Sequence, residues 1–223
     1  MAGLVFLFYF SAAFVVKEIK VAGAEGSLAD TVVELARIPE GRPLARVSES
    51  RVRERVMEDP RIGSMAVERE WPSTVTFRVS VREPALVLRH GKDRWLTDAT
   101  GVVFGTARKA PEKVPSVTVP EAPEQLTHET VQGLLELFAT KPPTRELEGR
   151  MSTPVMAADG SVTMKVEELT IRWGQPGDSQ KKWAVVTALI GQEAIDPEGG
   201  VPQTIDVSIP DQPVVSGLPP TAP

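Results

Sequence analysis

The sequence contains no cysteine and only two histidines among its 223 residues. The absence of cysteine excludes a disulfide framework, a thiolate metal site and a cysteine nucleophile. His90 and His128 lie far apart in the sequence, and neither has a partner at the spacing typical of zinc ligands. We therefore expect no metal site, and we expect packing alone to stabilise the fold.

An overall positive charge and the common catalytic motifs are also absent. Lys and Arg number 25 against 30 Asp and Glu, so the net charge of −5 gives no field suited to binding a nucleic-acid backbone. The sequence has no Gly-x-Ser-x-Gly motif, phosphate-binding glycine loop or dinucleotide-binding fingerprint. Acidic residues such as Glu167, Glu168 and Asp178 are frequent, but nothing in the sequence brings two of them to the separation that a glycosidase requires. We therefore predict a protein that is not an enzyme and has no cofactor.

Aromatic residues are few, at 5%, whereas Gly (17) and Pro (20) are frequent. This composition favours short elements joined by many turns, with more strand than helix. The hydrophobic content of 41% is enough to form a core, and the length allows one large domain or two small ones.

Residues 2–16 read AGLVFLFYFSAAFVV and contain no charged side chain. A helix needs about 20 apolar residues to cross a ~30 Å hydrocarbon core, so this run is several residues short. Three interpretations stay open: a truncated or tilted transmembrane anchor at residues 1–16, a signal peptide, and a buried N-terminal helix or strand. The anchor is favoured, because a signal peptide would have a Lys or Arg before the apolar run. Without such a residue, charge does not predict the orientation of the segment.

Residues 17–83 are predicted to form a small α+β domain. Periodicity and turn residues indicate a strand at 15–21, a helix at 31–37 capped by Ser27 or Asp30, a helix from Ser48 to Pro60, and a hairpin of strands 62–69 and 74–81. The order β-α-α-β-β fits a three-stranded sheet that carries two helices on one face.

Residues 84–217 are predicted to form a second domain, a mixed and curved β-sheet with two helices. Hairpin turns are expected at residues 90–93 and at 159–160, and apolar residues recur at helical spacing within 126–141 and 179–192. Near the C-terminus, alternating apolar residues indicate one strand that contains residues 205–209, and a last short strand is expected at 213–216. Residues 218–223 form a proline-rich tail.

Several segments together resemble one known family. The stretches FVVKEIKVAG, LARIPEGRPL and DPRIGSMAVEREWPSTVTFRVSVREPA are similar to the POTRA domain of the FtsQ/DivIB bacterial cell-division proteins. The hairpin is the most distinctive part, with an Arg, one further residue, Trp-Pro-x-Thr-Val, an alternating strand and Arg-Glu-Pro-Ala. The segment WLTDATGVVF resembles the Trp-Leu-x-Asp-x-x-Gly-x-Val-Phe pattern that opens the β domain of this family.

The resemblance implies a single-pass protein of the cytoplasmic membrane, with most of the chain outside the cytoplasm at the division septum. It implies a non-enzymatic scaffold that links septum assembly to peptidoglycan synthesis by binding FtsB/DivIC-like and FtsL-like division proteins. In this family the free C-terminal edge of the sheet receives the partner by β-strand addition. The partner-binding residues expected on this basis are Ile205, Val207, Ile209, Pro213, Val214, Val215 and Ser216. Lys182 is added to them, because Lys181 and Lys182 form a basic pair on the preceding helix that is expected to attract an acidic segment of the partner.

Two other classes of protein compete with this interpretation. One is a POTRA-containing translocation or chaperone module, which would bind the strands of client proteins. The other is an envelope enzyme with a POTRA-like appendage, for which we would expect a concave pocket with convergent titratable groups near residues 95–104.

Overall fold

The computed structural model describes residues 14–39, 41–140, 151–190, 192, 194–195 and 203–218. The chain divides into two compact units, Met1–Arg82 and Glu83–Pro223. The predicted anchor at residues 1–16 falls almost entirely outside the described residues, which begin at Phe14. Within the described ranges, no helix has the length and hydrophobicity needed to cross a membrane.

The first unit has the predicted order of elements. They are β1 (Glu18–Ala22), α1 (Gly26–Ala36), α2 (Glu49–Val56), β2 (Ile62–Glu70) and β3 (Thr74–Val81). The sheet order is β1-β3-β2, with β1 parallel and β2 antiparallel to the central strand β3. Both helices pack on the sheet, because Val32 of α1 and Val52 and Val56 of α2 join the same buried cluster as Phe77 of β3.

Helix α1 begins five residues earlier than the prediction. Glu25 occupies the N-cap position with no side-chain hydrogen bond, so neither Ser27 nor Asp30 is the cap. The helix ends where Arg37 adopts a left-handed conformation with φ of 45°, two residues before Pro39. Proline stops a helix because it lacks an N–H group. The predicted end of the helix at residue 37 agrees with the observed end at Ala36 to within one residue.

The second unit is built around one mixed sheet. Its strands are β4 (Leu86–His90), β5 (Asp93–Thr97), β6 (Val103–Thr106), β7 (Ser116–Thr118), β8 (Val155–Met156), β9 (Val162–Val166), β10 (Leu169–Gly174), β11 (Gln203–Asp206) and β12 (Val214–Ser216). The nine strands lie in the order β12-β11-β10-β9-β8-β7-β4-β5-β6. The sheet is mixed because β7 pairs in parallel with β4 and β8, and β11 pairs in parallel with β10.

Two helices, α3 (His128–Ala139) and α4 (Ser179–Ile190), pack against this sheet. The side chain of Thr127 accepts a hydrogen bond from the Thr130 N–H and caps α3. The indole N–H of Trp183 on α4 donates to the Leu137 carbonyl of α3 at 2.9 Å. Its ring lies 4.7 Å from that of Trp173 on β10, so one tryptophan connects both helices to the sheet.

The last two strands are shorter than the prediction. β11 ends at Asp206 rather than continuing to Ile209, because the Asp206 carboxylate accepts a hydrogen bond from the Ser208 N–H and turns the chain. Strand β12 begins at Val214, one residue after Pro213. Ile209 therefore lies in the connecting turn and not in a strand.

Candidate partner-binding edge

Strand β12 lies at one end of the nine-stranded sheet. It pairs antiparallel with β11, with Thr204 opposite Ser216, Ile205 opposite Val215 and Asp206 opposite Val214. No strand among the described residues pairs with its other side. The outer edge of β12 therefore offers backbone groups that another strand could satisfy.

The hydrogen bonds of β11 show which backbone groups of β12 point outward. The Val207 N–H donates to the Arg172 carbonyl of β10 at 2.9 Å, and backbone groups of successive residues in a strand point in opposite directions. Thr204 and Asp206 therefore direct their backbone groups toward β12 and bond Ser216 and Val214. It follows that the N–H and C=O of Val215 point away from the sheet.

Pro213 directly precedes the strand, and its backbone groups point in the same direction as those of Val215. Proline has no N–H group, so it removes a donor from the outer edge without weakening the pairing with β11. A strand added at this edge would obtain both a donor and an acceptor from Val215, and only an acceptor from Pro213.

Exposed apolar side chains lie on β12 and on the segments that flank it. Val214 is 61% exposed, Ile209 in the preceding turn is 60% exposed and Leu218 is 48% exposed. Val215 is half-buried and packs on the core, in register with the fully buried Ile205. Of the side chains of β12, Val215 thus packs on the core, and its neighbours Val214 and Ser216 stay accessible.

The turn before β12 is tied to the surface of helix α4. Lys181 forms an ion pair with Asp211 at 2.5 Å, and both side chains are more than half exposed. Within the turn the Gln212 N–H donates to the Ile209 carbonyl at 2.9 Å. These contacts fix the point at which the chain enters β12.

Comparison with known proteins assigns both units. The family model for the FtsQ-type POTRA domain matches residues 14–83. The model for the C-terminal domain of the cell division protein FtsQ/DivIB matches residues 85–208, more than half of the chain. The chain belongs to the FtsQ/DivIB family of cell division proteins. The C-terminal match ends before β12, so the description of this edge depends on the structure.

Similar relatives carry the name cell division protein FtsQ. The protein of Streptomyces venezuelae is 29% identical in an alignment of 228 positions that covers 97% of this chain and 80% of the relative. The protein of Streptomyces griseus is 29% identical in an alignment that covers 90% of this chain and 96% of the relative. That of Mycolicibacterium smegmatis is 29% identical over 94% of this chain and 59% of the relative.

The structure places the predicted site residues of this FtsQ/DivIB chain in two groups. Ile209, Pro213, Val214 and Ser216 are exposed, with the half-buried Val215 between the last two, so this group forms the accessible edge. The side chains of Ile205 and Val207 are completely buried and belong to the core. They hold β11 in place and have no surface to offer to a partner.

Lys182, predicted to attract an acidic partner together with Lys181, is also buried, with 4% of its surface exposed. Its ammonium group donates to the Gln175 carbonyl at 2.7 Å and lies 5.6 Å from the Trp173 ring centre. Burial lowers the pKa of Lys182, and the nearby carboxylates of Asp178 and Glu136 oppose that effect. Of the two lysines, Lys181 is the one that solvent reaches.

Leu218 is an accessible apolar residue that the sequence reasoning assigned to the tail. Its signal is a large apolar side chain two residues after the last strand and directly before two prolines. Such a residue has no core to join, because proline prevents the strand from continuing.

Proposed function

We propose that this FtsQ/DivIB chain is a non-enzymatic scaffold of the division complex that binds another membrane-anchored division protein by β-strand addition at β12. The proposed partner is an extracytoplasmic segment of an FtsB/DivIC-like or FtsL-like protein. Residues 1–16 would hold the scaffold in the cytoplasmic membrane at the septum, where it would link septum assembly to peptidoglycan synthesis. The outward-pointing backbone of Val215 at the end of the sheet is the observation that carries this proposal.

The affinity of such a contact comes mainly from the main chain. An edge strand presents N–H and C=O groups in fixed positions, and an added peptide satisfies them in the same geometry as the rest of the sheet. Pairing with β11 and the packing of Val215 already hold β12 in position. The entropy lost on binding therefore comes largely from the ordering of the partner's strand.

Specificity would come from the side chains beside the edge. Val214 offers an exposed apolar surface on β12, and Ile209 and Leu218 offer two more on the flanking segments. A partner strand with alternating apolar residues would cover this surface and remove it from water. The Lys181–Asp211 ion pair lies at the rim, where exposed charges affect the association rate more than the affinity.

A catalytic role receives less support from the open cleft beside Trp95. Its lining contains one carboxylate, Asp93, together with Lys92, Arg94 and Arg108. A hydrolytic mechanism of the glycosidase type needs two carboxylates at a defined separation. The described part of this cleft supplies one, so the scaffold function agrees better with its composition.

The proposal is tested by capture of the extracytoplasmic segments of FtsB-like and FtsL-like proteins on the full chain. Val215→Pro removes the outward N–H but leaves the Val214 and Ser216 backbone groups that pair with β11, so we expect capture to fall at least tenfold. Val215→Ala is the matched control, because it shortens the same side chain and keeps the N–H group. Pro213→Ala adds an outward donor, and we expect it to retain capture or to strengthen it.

Capture that survives in Val215→Pro, or that is lost equally in Val215→Ala, would reject strand addition at β12. Circular dichroism and thermal unfolding of each variant establish that the second unit is folded. A result in which neither segment binds the native chain would reject the proposed partners and leave the edge without its assigned function.

A further inference from the structure

The first unit has a cleft lined by four arginines, between the end of α1 and the start of α2. Its volume is about 60 Å³. Apolar side chains that include Ile38, Val47 and Val52 form part of its wall. The charged part consists of Arg37, Arg42, Arg51 and Arg55, which we call the arginine cleft.

In the ranges that the structure describes, none of these four guanidinium groups forms an ion pair with a carboxylate. Arg42 donates through Nε to the Arg46 carbonyl at 3.1 Å, and Arg55 donates to the Ala36 carbonyl. The Nε of Arg55 is buried and has no hydrogen-bond partner in the part of the chain that the structure describes. Glu40 lies outside the described residues. A bound anion would relieve the repulsion between the four cations and satisfy the Arg55 donor.

Neighbouring arginines of the same unit show the contrast. Arg53 on α2 pairs with Glu49 at 2.5 Å, Arg61 pairs with Asp59 at 2.6 Å, and Arg78 pairs with Glu68 at 2.6 Å. Carboxylates are thus available in this unit, and they pair with arginines outside the cleft. Among the described residues, none of these three carboxylates pairs with an arginine of the arginine cleft.

The start of α2 adds to the positive potential of the cleft. Ser48 is the N-cap residue, and its hydroxyl contacts Ser50 Oγ at 3.1 Å instead of capping the backbone N–H groups of the first turn. Ser48 and Arg51 both line the cleft. Uncapped N–H groups at a helix N-terminus favour an anion, here as a supplement to the guanidinium groups.

The arginine cleft lies where the chain leaves the apolar run of residues 2–16. The Val16 N–H donates to the Arg42 carbonyl at 2.9 Å, and Val15 forms a β-bridge with Pro43. The next residue, Lys17, donates its N–H to the Ser73 carbonyl in the hairpin turn at 2.9 Å. The loop that carries Arg42 and the β2–β3 turn are therefore both attached to the end of that run.

Two aromatic residues lie at the same end of the unit. The rings of Phe14 and Trp71 are in edge contact, with centroids 5.7 Å apart. Trp71, in the β2–β3 turn, is 49% exposed. Tryptophan is enriched at the headgroup level of membranes, because its ring has an apolar body and a polar N–H.

We propose that the arginine cleft binds the phosphate group of an anionic phospholipid, with Trp71 at the headgroup level of the same bilayer. The inference rests on the anchor proposed for residues 1–16, and it is independent of the β12 edge. The chemistry recognised is a phosphate oxyanion, which guanidinium groups bind through paired, charge-assisted hydrogen bonds. The membrane supplies this anion at high local concentration at the point where the apolar run would enter it, so a lipid is favoured over free phosphate.

The test uses the full chain in lipid discs and the NMR signals of the arginine Nε–H groups. The discs contain phosphatidylcholine alone, phosphatidylcholine with phosphatidylglycerol, or phosphatidylcholine with inorganic phosphate in solution. Relative to discs of phosphatidylcholine alone, we expect the signals of the four cleft arginines to shift when phosphatidylglycerol is present and to change little when inorganic phosphate is added. An equal shift with inorganic phosphate, or signals that are the same with phosphatidylglycerol as with phosphatidylcholine alone, would overturn the assignment to an anionic lipid.

The variant that tests the cleft is R37Q/R51Q, because neither side chain forms a hydrogen bond or ion pair with another described residue. A basic residue near an anionic bilayer contributes about fivefold in affinity, so the double variant should lose about 25-fold. Arg42 and Arg55 then serve as reporters. R78Q is the control for the loss of a positive charge outside the cleft, since Arg78 pairs with Glu68 on the sheet. A response of Arg42 and Arg55 in R37Q/R51Q like that of the native chain would reject the site.

Flotation with phosphatidylcholine vesicles separates the failure of the anchor from the failure of the cleft. A chain that does not float contradicts the proposed anchor and the proposal that depends on it. If the chain floats but its arginine signals do not change with phosphatidylglycerol, only the proposal that the arginine cleft binds a lipid is contradicted. Capture of a partner at β12 should be the same in R37Q/R51Q and the native chain.

Discussion

At the residue scale, Lys182 shows how burial changes the role of a charged side chain. Adjacent lysines on a helix suggest two solvated cations, and the sequence prediction gave both the same role. In the structure the Lys182 ammonium reaches the Gln175 carbonyl before the start of α4 and lies beside the Trp173 ring. That position depends on where β10 and α4 meet, which helical periodicity within residues 179–190 does not reveal.

The buried Lys182 predicts a specific pH dependence of stability. Burial lowers its pKa in the folded chain, whereas the unfolded chain has the ordinary lysine pKa of about 10.4. Between these two values the unfolded state binds more protons, so the free energy of unfolding rises with pH. Below the folded pKa both states are protonated, and the cost of burying the charge is fully present.

We therefore expect the difference in unfolding free energy between the native chain and Lys182→Met to change in favour of the native chain as the pH rises from 7 toward 10.4. Urea denaturation at a series of pH values measures this difference. Methionine keeps the apolar part of the side chain and removes the titrating group. A difference that stays constant over the whole range would contradict the assignment.

At the scale of the elements, prediction succeeded where one period dominates. Strand β3 (Thr74–Val81) alternates strictly, and helix α3 (His128–Ala139) has apolar residues at helical spacing, so both were located to within about two residues. It failed at boundaries that a single polar contact determines. The end of β11 depends on the bond from the Ser208 N–H to the Asp206 carboxylate, and an alternating pattern through Ile209 conceals that turn.

The connection from β1 to α1 gives a prediction about one glycine. Gly23 has a φ of 91°, and a Cβ atom there would lie 1.9 Å from the carbonyl oxygen of Val79 on β3. Gly23→Ala should therefore force β1 away from β3 and reduce the free energy of unfolding of the first unit by about 2–4 kcal/mol. Chemical denaturation measures the loss.

Gly26→Ala provides the comparison for this element. Gly26 also has a positive φ, of 55°, but a Cβ atom there would meet nothing within 4 Å. It should cost only the backbone strain of a left-handed residue, about 1–2 kcal/mol. Equal losses in the two variants would show that the close approach of Gly23 to Val79 is not what limits β1.

At the scale of the whole molecule, the two units differ in charge. Residues 1–82 contain 12 Lys and Arg against 11 Asp and Glu, whereas residues 83–223 contain 13 against 19. The acidic total thus conceals a first unit that is slightly basic and concentrates four arginines in one cleft. Composition alone excluded a general affinity for polyanions, but it could not indicate a local anion site, because Arg37 and Arg55 come together only when α1 and α2 pack.

The two proposed contacts of the chain should respond differently to salt. Between about 0.01 M and about 1 M salt the Debye length falls from about 30 Å to about 3 Å, which weakens contacts between exposed charges. As the salt concentration rises, the signals of the cleft arginines in discs with phosphatidylglycerol should therefore return toward their values in discs of phosphatidylcholine alone. Capture at β12 depends on backbone hydrogen bonds and apolar contact, so it should change less than threefold over the same range.

R37Q/R51Q is the control, because its signals should change little with salt in either lipid. A loss of β12 capture in step with the arginine signals would mean that partner binding is electrostatic, contrary to the strand-addition mechanism. If the arginine signals do not change with the salt concentration, the cleft holds no lipid phosphate. Since each outcome affects one unit, a single titration of the native chain examines the edge strand and the arginine cleft independently.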